Sequence, residues 1–396
     1  MSDRRTLSEI AGAFTALGLS SFGGPIAHLG YFRRDFVERH RWIDDAAFAD
    51  LVALCQMLPG PTSSQVVFGL GMRWAGIAGA AVASLCFMLP SAVVMTVFAY
   101  GVVSLSNPGS AGWLHGLKLA AVAIVARAVW GMAGALCPDW PRRILAVVGA
   151  ALVLCVPGPL TQLGVIAAFG AMAALYPRKE ADPPLRAPPD APGGHAWAVA
   201  ALALFFLLLG LLPVLSRGDG EGTLAVFDRF YRTGAVVFGG GHVVLPLLRA
   251  EVVPPGWISD GAFLAGYGAV QAVPGPLFTF AAYVGTLIGH GPWAWCTGAL
   301  ALFAIFLPGW LLVGGAYPFW GAMVAMRGFR GFVRGANVAV VGILLAALYS
   351  PIGTEGVRSV RDGAAVVIAI LLMARLRLPQ WALVALMAAA GQWLLR

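Results

Sequence analysis

One short motif limits what this chain can fold into, because it has to interrupt a helix. An apolar run from Phe48 to Met72 is long enough to cross a bilayer, and the motif Gln56–Pro61, with Pro59-Gly60-Pro61 at its end, lies in the middle of it. Proline lacks an amide hydrogen, clashes with the preceding turn and pushes the residue before it away from helical angles. The sequence therefore predicts one helix that ends and a second that begins inside the apolar run. Non-helical backbone at that depth is tolerated only where protein or a watery cavity surrounds it.

The composition places the whole chain in a membrane. Hydrophobic residues make up 59% of the chain, charged residues 11%, and the mean hydropathy is +0.82. Soluble domains carry about 25% charged residues. Apolar runs of about 20 residues recur from end to end, which is typical of membrane-spanning helices and not of barrel strands. We therefore expect an all-α integral membrane protein.

Charge and cysteine content exclude several other classes of function. The net charge of +8 fits cytoplasmic loops that face anionic lipid, so we expect no nucleic-acid partner. The five cysteines show no spacing typical of a metal or redox site, and we expect no metal and no cofactor. No phosphate-binding glycine loop and no pair of catalytic groups is present, which argues against a nucleotide-driven motor and against an enzyme.

The chain contains an internal duplication. Four ordered motifs recur 215 to 219 residues later, which chance does not explain. The matched pairs are Phe22-Gly23-Gly24 with Phe238-Gly239-Gly240, Trp42–Phe48 with Trp257–Phe263, Gln56–Pro61 with Gln271–Pro276, and Leu89-Pro90 with Leu307-Pro308, followed by Gly116 with Gly335.

The duplication predicts the domain organisation. We expect a first repeat of about six helices over residues 1–176, a proline-rich linker over 177–195, a connecting transmembrane helix over 196–216 and a second repeat of about six helices over 217–396. That gives about thirteen spans, and seven of them separate equivalent points, so the halves should be inverted in the membrane. Inverted repeats with broken helices at mid-membrane are a recurrent transporter architecture. The distribution of arginine and lysine favours a cytoplasmic amino terminus.

The breaks are the first candidate binding sites. Each restarted half-helix points free amides and the positive end of its dipole into the protein, an arrangement that attracts anions, and glutamine amides can donate to an oxyanion as well. The alternative is a structural kink with local capping. The candidate substrate-binding residues at the two breaks and in the glycine motifs are Gly23, Gly24, Gln56, Pro59, Gly60, Pro61, Thr62, Ser63, Gly239, Gly240, Gln271, Pro274, Gly275, Pro276 and Thr279.

Charged residues supply further candidates. Arg127 lies near the middle of the fourth predicted span, where a bound anion would complement it; the alternative is an arginine paired with exposed carbonyls. Lys118 falls on the opposite face and closer to a helix end, where we expect it to reach the surface. Arg33 and Arg34 belong to a basic loop that would funnel anions if it is not simply solvated.

Two titratable residues are candidates for a proton relay. Asp50 is the only acid well inside an apolar run, and His242 follows the second glycine motif. A satisfied core histidine is the alternative for His242. Since the sequence lacks a motor, the energy for transport has to come from an ion gradient or an external partner.

The paired motifs resemble those of the chromate ion transporter family in its long two-domain form. The resemblance rests on Phe22–Pro25, the Trp42 motif, Gln56–Pro61 and their second copies, and it covers nearly the whole chain. It implies a bacterial inner-membrane carrier that expels chromate, driven by the proton gradient, with thirteen spans and halves of opposite topology. The chain departs from the pattern at Gly241, where the family has proline, so the two breaks differ in stiffness.

Several alternatives stay open at this point. Sulfate or another tetrahedral dianion has nearly the same geometry and charge as chromate, and the sequence does not separate them. A membrane-embedded enzyme or an assembly scaffold would need paired catalytic groups or a large polar surface, and neither is found. The expected partners are thus an oxyanion and the lipid bilayer, with a homodimer left open.

Overall fold

The structure, a computed structural model, describes residues 5–104, 112–176, 194–220, 222–238, 241–376 and 378–393, and within these ranges it is helical without a β-strand. The Pro-rich linker expected over 177–195 lies mostly outside the described residues, as do Gly239 and Gly240. The helices are α1 (Leu7–Ser20), α2 (Gly24–Phe32), α3 (Asp45–Met57), α4 (Thr62–Val103), α5 (Gly112–Leu136), α6 (Trp140–Cys155), α7 (Pro159–Leu175), α8 (Gly194–Leu215), α9 (Thr223–Val236), α10 (Val244–Val252), α11 (Asp260–Val270), α12 (Phe280–Ile288), α13 (Ala294–Ala316), α14 (Trp320–Ala325), α15 (Arg327–Ala347), α16 (Thr354–Gly356), α17 (Val360–Arg375) and α18 (Gln380–Trp393).

Helix length and hydropathy confirm an all-α, multi-pass membrane protein. Among the described residues, five helical stretches are long and apolar enough to cross a bilayer. They are Thr62–Val103, Gly112–Leu136, Gly194–Leu215, Gly291–Met323 and Arg327–Gly356. Shorter apolar helices, among them α1, α7 and α12, accompany them. The number of thirteen spans and the inversion of the halves stay predictions.

Both predicted breaks are present. In the first repeat α3 ends at Met57 and α4 begins at Thr62; in the second, α11 ends at Val270 and a short 3₁₀ turn, Leu277–Thr279, precedes α12. The corner glycines have left-handed backbone angles, with φ of +127° at Gly60 and +106° at Gly275, which residues with a side chain rarely adopt. The chain is therefore turned at each break and not merely bent.

The two repeats exchange their last helices. In the first repeat α5 packs on α17 and α18, which belong to the second repeat, while α15 of the second repeat packs on α6 and α7 of the first. Glycines permit both contacts: a Cβ added at Gly116 would collide with the Met387 carbonyl oxygen, and one added at Gly335 with that of Phe169. Small residues allow helix backbones to approach closely in a membrane, so the swapped packing depends on these positions.

Candidate functional site

The two breaks are held by reciprocal hydrogen bonds between the repeats. The Gly60 N–H donates to the Val237 carbonyl oxygen at 2.7 Å, and the Gly275 N–H donates to the Ser21 carbonyl oxygen at 2.9 Å. Val237 and Ser21 are themselves equivalent, since each directly precedes the phenylalanine of a glycine motif. Each break is thus joined to the end of the first helix of the other repeat, and we call these two reciprocal contacts the crossing.

A proline-containing helix closes each corner. A Cβ added at Gly60 would lie 3.2 Å from the Cα of Gly309, directly after Leu307-Pro308 of the second repeat. One added at Gly275 would lie 2.7 Å from the Oγ of Ser91, directly after Leu89-Pro90 of the first. The breaks are therefore packed on both sides by protein from the opposite repeat, the environment that irregular backbone at membrane depth requires.

The first break presents unused donors at the start of α4. Pro61 occupies the capping position and supplies no side-chain hydrogen bond. The first helical hydrogen bond comes from the Gln65 N–H, to the Pro61 carbonyl oxygen at 2.9 Å, which leaves the amides of Thr62, Ser63 and Ser64 without an intrahelical acceptor. Ser63 and Ser64 are buried, and the Ser64 hydroxyl has no partner among the described residues. Amides and hydroxyls at a helix start suit an oxyanion.

The second break carries a buried threonine hydroxyl and a buried glutamine amide. The Thr279 hydroxyl donates to the Pro276 carbonyl oxygen at 2.8 Å, and no described side chain caps the amides at the start of the 3₁₀ turn or of α12. The side chain of Gln271 is only 3% exposed, and neither its Oε1 nor its Nε2 makes a well-formed hydrogen bond among the described residues. Gln56, its equivalent in the first repeat, is exposed. The two glutamines therefore have different surroundings despite their matching positions.

Two histidines follow the glycine motifs, and one of them contacts the crossing. His242 shares a 2.7 Å hydrogen bond between its Nδ1 and the Tyr267 hydroxyl, one helical turn before Gln271. The fully buried His28, which the sequence analysis did not single out, lies with Nε2 3.1 Å from the Ser21 carbonyl oxygen, the same acceptor that Gly275 uses. Its position next to the glycine motif was visible in the sequence, but nothing there indicated the contact. Gly23 and Gly24 lead into its helix with φ of +102° and +79°.

The two cations of α5 differ in exposure, and Lys118, the one expected at the surface, is the buried one. Arg127 is exposed, and no hydrogen bond or ion pair from it is found in the part of the chain that the structure describes. Lys118, expected to reach the surface, is 9% exposed, with its Nζ close to Gly261 at the start of α11. No bond joins Arg127 to either break among the described residues, and its role as a substrate ligand stays a prediction.

One of the two arginines of the expected anion funnel is paired with acids. Arg33 forms ion pairs with Glu38 and with Asp45, the latter at 2.7 Å, and its hydrogen bond lowers the pKa of the exposed Asp45 carboxyl. Arg34 lies over the ring of Tyr31 at 5.4 Å. An equivalent ion pair joins Arg249 and Asp260 in the second repeat. This recurrence favours a structural role that fixes the start of α3 and α11.

A buried charge cluster in the second repeat was not predicted. Arg232 pairs with Asp228 at 2.9 Å and with Glu251 at 3.1 Å, and both carboxylates are less than one tenth exposed. The i, i+4 spacing of Asp228 and Arg232 was a sequence signal for their pairing. Asp50, by contrast, lies near Tyr317 and Arg73 and is not an isolated carboxylate.

These features define a class of protein: a multi-pass membrane protein of two repeats, whose broken helices cross at a site with buried polar groups. The model of the chromate transporter family matches residues 8–175 and 224–392. The chain belongs to the chromate transporter family.

Relatives named as chromate transport proteins match most of the chain. It is 29% identical over 340 residues to a chromate transport protein of Pseudomonas aeruginosa, and this alignment covers 85% of this chain and 79% of that protein. It is 28% identical over 354 residues to a probable chromate transport protein of Synechococcus elongatus, with 87% and 84% covered, and 27% identical over 354 residues to a chromate transport protein of Cupriavidus metallidurans, with 87% and 82% covered. No solved structure gives a significant match.

Proposed function

We propose that this chain is a secondary active transporter that exports chromate across the bacterial cytoplasmic membrane and so confers chromate resistance. The observation that carries the proposal is the reciprocal crossing, in which each break is bonded to the other repeat through Gly60 and Gly275. Discontinuous helices at a repeat interface are where carriers of this architecture bind their substrates. The names of the relatives suggest chromate as the substrate, and the geometry of the crossing supports this location for the binding site.

The proposed binding groups follow from which donors the crossing leaves unused. The amides of Gly60 and Gly275 are occupied by carbonyls, so they do not bind the anion. The remaining donors are the first-turn amides of α4 with Ser63 and Ser64, together with the buried amide of Gln271. Neutral donors of this kind bind an oxyanion without a fixed counter-charge, and such binding is readily reversed, as a carrier requires. Arg127, being exposed, is left out of this site.

Proton coupling is part of the proposal, with Asp50 and His242 as candidate relays and His28 added because of its contact with the crossing. The inside-negative membrane potential drives a dianion out of the cell, but a further gradient is needed when the concentration of chromate outside is high. Protons moving inward would supply it.

We further propose that the halves are inverted across thirteen spans with the amino terminus inside. The matched positions Arg41 and Gly256 both precede a tryptophan motif and lie in irregular segments. Reporters inserted after these two residues should label from opposite sides of the membrane. Labelling from one side would contradict the inversion.

The direct test of function is chromate uptake into everted membrane vesicles that contain the protein. We expect uptake that collapses when a protonophore dissipates the pH gradient and that persists under a tenfold excess of sulfate. Uptake abolished by sulfate would favour a general carrier of tetrahedral dianions instead. Vesicles with the protein correctly inserted but no uptake of either anion would contradict the transport proposal itself.

A further inference from the structure

A lysine ammonium is buried in the second turn of α5. Lys118 is only 9% exposed, although α5 is one of the helices long and apolar enough to cross a bilayer. Moving an ammonium group out of water costs free energy that a nearby negative charge has to offset. The transport site proposed at the crossing does not use this residue, so its burial has another cause.

The acidic residues around Lys118 are already paired with arginines. The charged groups that act on its ammonium are Asp260, Glu355 and Arg358. Both carboxylate oxygens of Asp260 accept hydrogen bonds from Arg249, at 2.6 and 2.7 Å. Glu355 forms an ion pair with Arg358 at 3.6 Å. No hydrogen bond or ion pair from Lys118 is found among the residues that the structure describes, so these three cations and two carboxylates leave its charge unbalanced.

The Lys118 ammonium faces the start of α11. A Cβ added at Gly261 would lie 2.9 Å from the Lys118 Nζ. Ser259 caps one amide of α11, and the N–H groups of Asp260 and Gly261 have no acceptor among the described residues. These amides carry the positive end of the helix dipole, so an ammonium beside them is unfavourable unless an anion lies nearby. An anion that accepts from Nζ and from both amides would satisfy all three donors.

The equivalent position in the second repeat carries no charge. Asn337 lies 219 residues after Lys118, the same separation that relates Gly335 to Gly116. Lysine is also rare in this chain, which has 24 arginines and, besides Lys118, only Lys179. The ammonium of lysine is a compact point charge, whereas the guanidinium of arginine is a planar fork. A neutral side chain is therefore compatible with the repeated fold at this position, and the cation belongs to one repeat only.

We propose that the Lys118 Nζ and the free amides at the start of α11 form a second oxyanion site, which holds the transported anion between the crossing and the membrane face at which α5 and α11 begin. The identity of this anion rests on the proposed transport function. The eleven residues of α11 connect the site to Gln271, over a distance of about 16 Å. A fixed positive charge at this end of α11 raises the local concentration of anions, and the neutral donors at the crossing lack such a charge.

The test is binding of radiolabelled chromate to the full-length protein in a neutral detergent, measured by equilibrium dialysis. We expect about two bound chromate ions per chain in the unchanged protein and about one in Lys118→Met, because the second site loses its charge-assisted hydrogen bond. Lys118→Arg keeps the charge and should retain both sites, with the second weakened by no more than about tenfold. The control Lys179→Met removes the same charge at the other lysine and should bind as the unchanged protein does.

The melting temperature separates an anion site from a structural role of the ammonium. Without chromate, Lys118→Met should melt no lower than the unchanged protein, because it removes a buried charge that has no partner. A clear fall in melting temperature, or equal chromate binding by Lys118→Met, Lys179→Met and the unchanged protein, would overturn the proposal. Failure of the proposed function gives a different result, namely no chromate uptake into vesicles and no bound chromate that Gln271→Leu weakens.

Discussion

The side-chain amide of Gln65 reaches back across the first break and donates from its Nε2 to the Pro59 carbonyl oxygen at 2.8 Å. A Cβ added at Gly60 would lie 2.8 Å from that same nitrogen. The Gln65 side chain therefore satisfies the Pro59 carbonyl oxygen, and the lack of a side chain at Gly60 leaves room for the Gln65 amide.

Alanine at Gly60 should destabilise the protein. A residue with a Cβ at φ of +127° is strained, and the added methyl also displaces Gln65 from Pro59, so we expect a loss of about 1–3 kcal/mol. Thermal unfolding in detergent measures it, and Gly275→Ala should behave alike. Gly12→Ala is the matched control, since Gly12 is helical and has open space around it. Equal melting temperatures for Gly60→Ala and Gly12→Ala would show that the corner is not strained.

Gln271→Leu should improve stability while it impairs transport. A buried amide that makes no well-formed hydrogen bond costs about 1–3 kcal/mol, and leucine removes that cost. If the amide donates to chromate, the KM for chromate should rise about tenfold in the same variant. The control is Gln56→Leu at the exposed equivalent position, where both quantities should stay unchanged. An unchanged KM in Gln271→Leu would remove Gln271 from the binding site.

Arg232→Met should be strongly destabilising. It leaves the carboxylates of Asp228 and Glu251 buried with their shared partner gone, which costs about 3–5 kcal/mol in comparable ion pairs. Membrane yield and thermal unfolding should both fall. Arg217→Met, at an exposed position before α9, removes the same charge and should have no such effect. Full stability in Arg232→Met would mean that the two acids are protonated or hydrated.

Arg127→Ala should leave the KM for chromate within about twofold, because the side chain is exposed and makes no contact with the proposed binding groups among the described residues. Transport into everted vesicles at matched protein levels is the measurement. A large rise in KM would instead support the expectation from sequence that Arg127 binds the anion.

The breaks were predictable from sequence because proline and glycine act locally on the backbone. Their partners were not: the Val237 and Ser21 carbonyl oxygens lie far away along the chain, and no local pattern indicates them. The contrast between Lys118 and Arg127 was missed for a related reason. A helix that is apolar on every side gives no periodicity to tell its covered face from its lipid face, so depth along the span was the only guide.

The exchange of helices between the repeats determines when the helix bundle can be completed during synthesis. When α5 enters the membrane, its partners α17 and α18 have not yet been translated. More than two hundred further residues must be synthesised before they can cover its glycine face, which until then faces lipid. Because these contacts form last, insertion of α17 and α18 is the step that completes the helix bundle. A ribosome stalled after α16 would leave an inserted but open bundle, and quality-control proteases would recognise α5 by the groove that α18 normally fills.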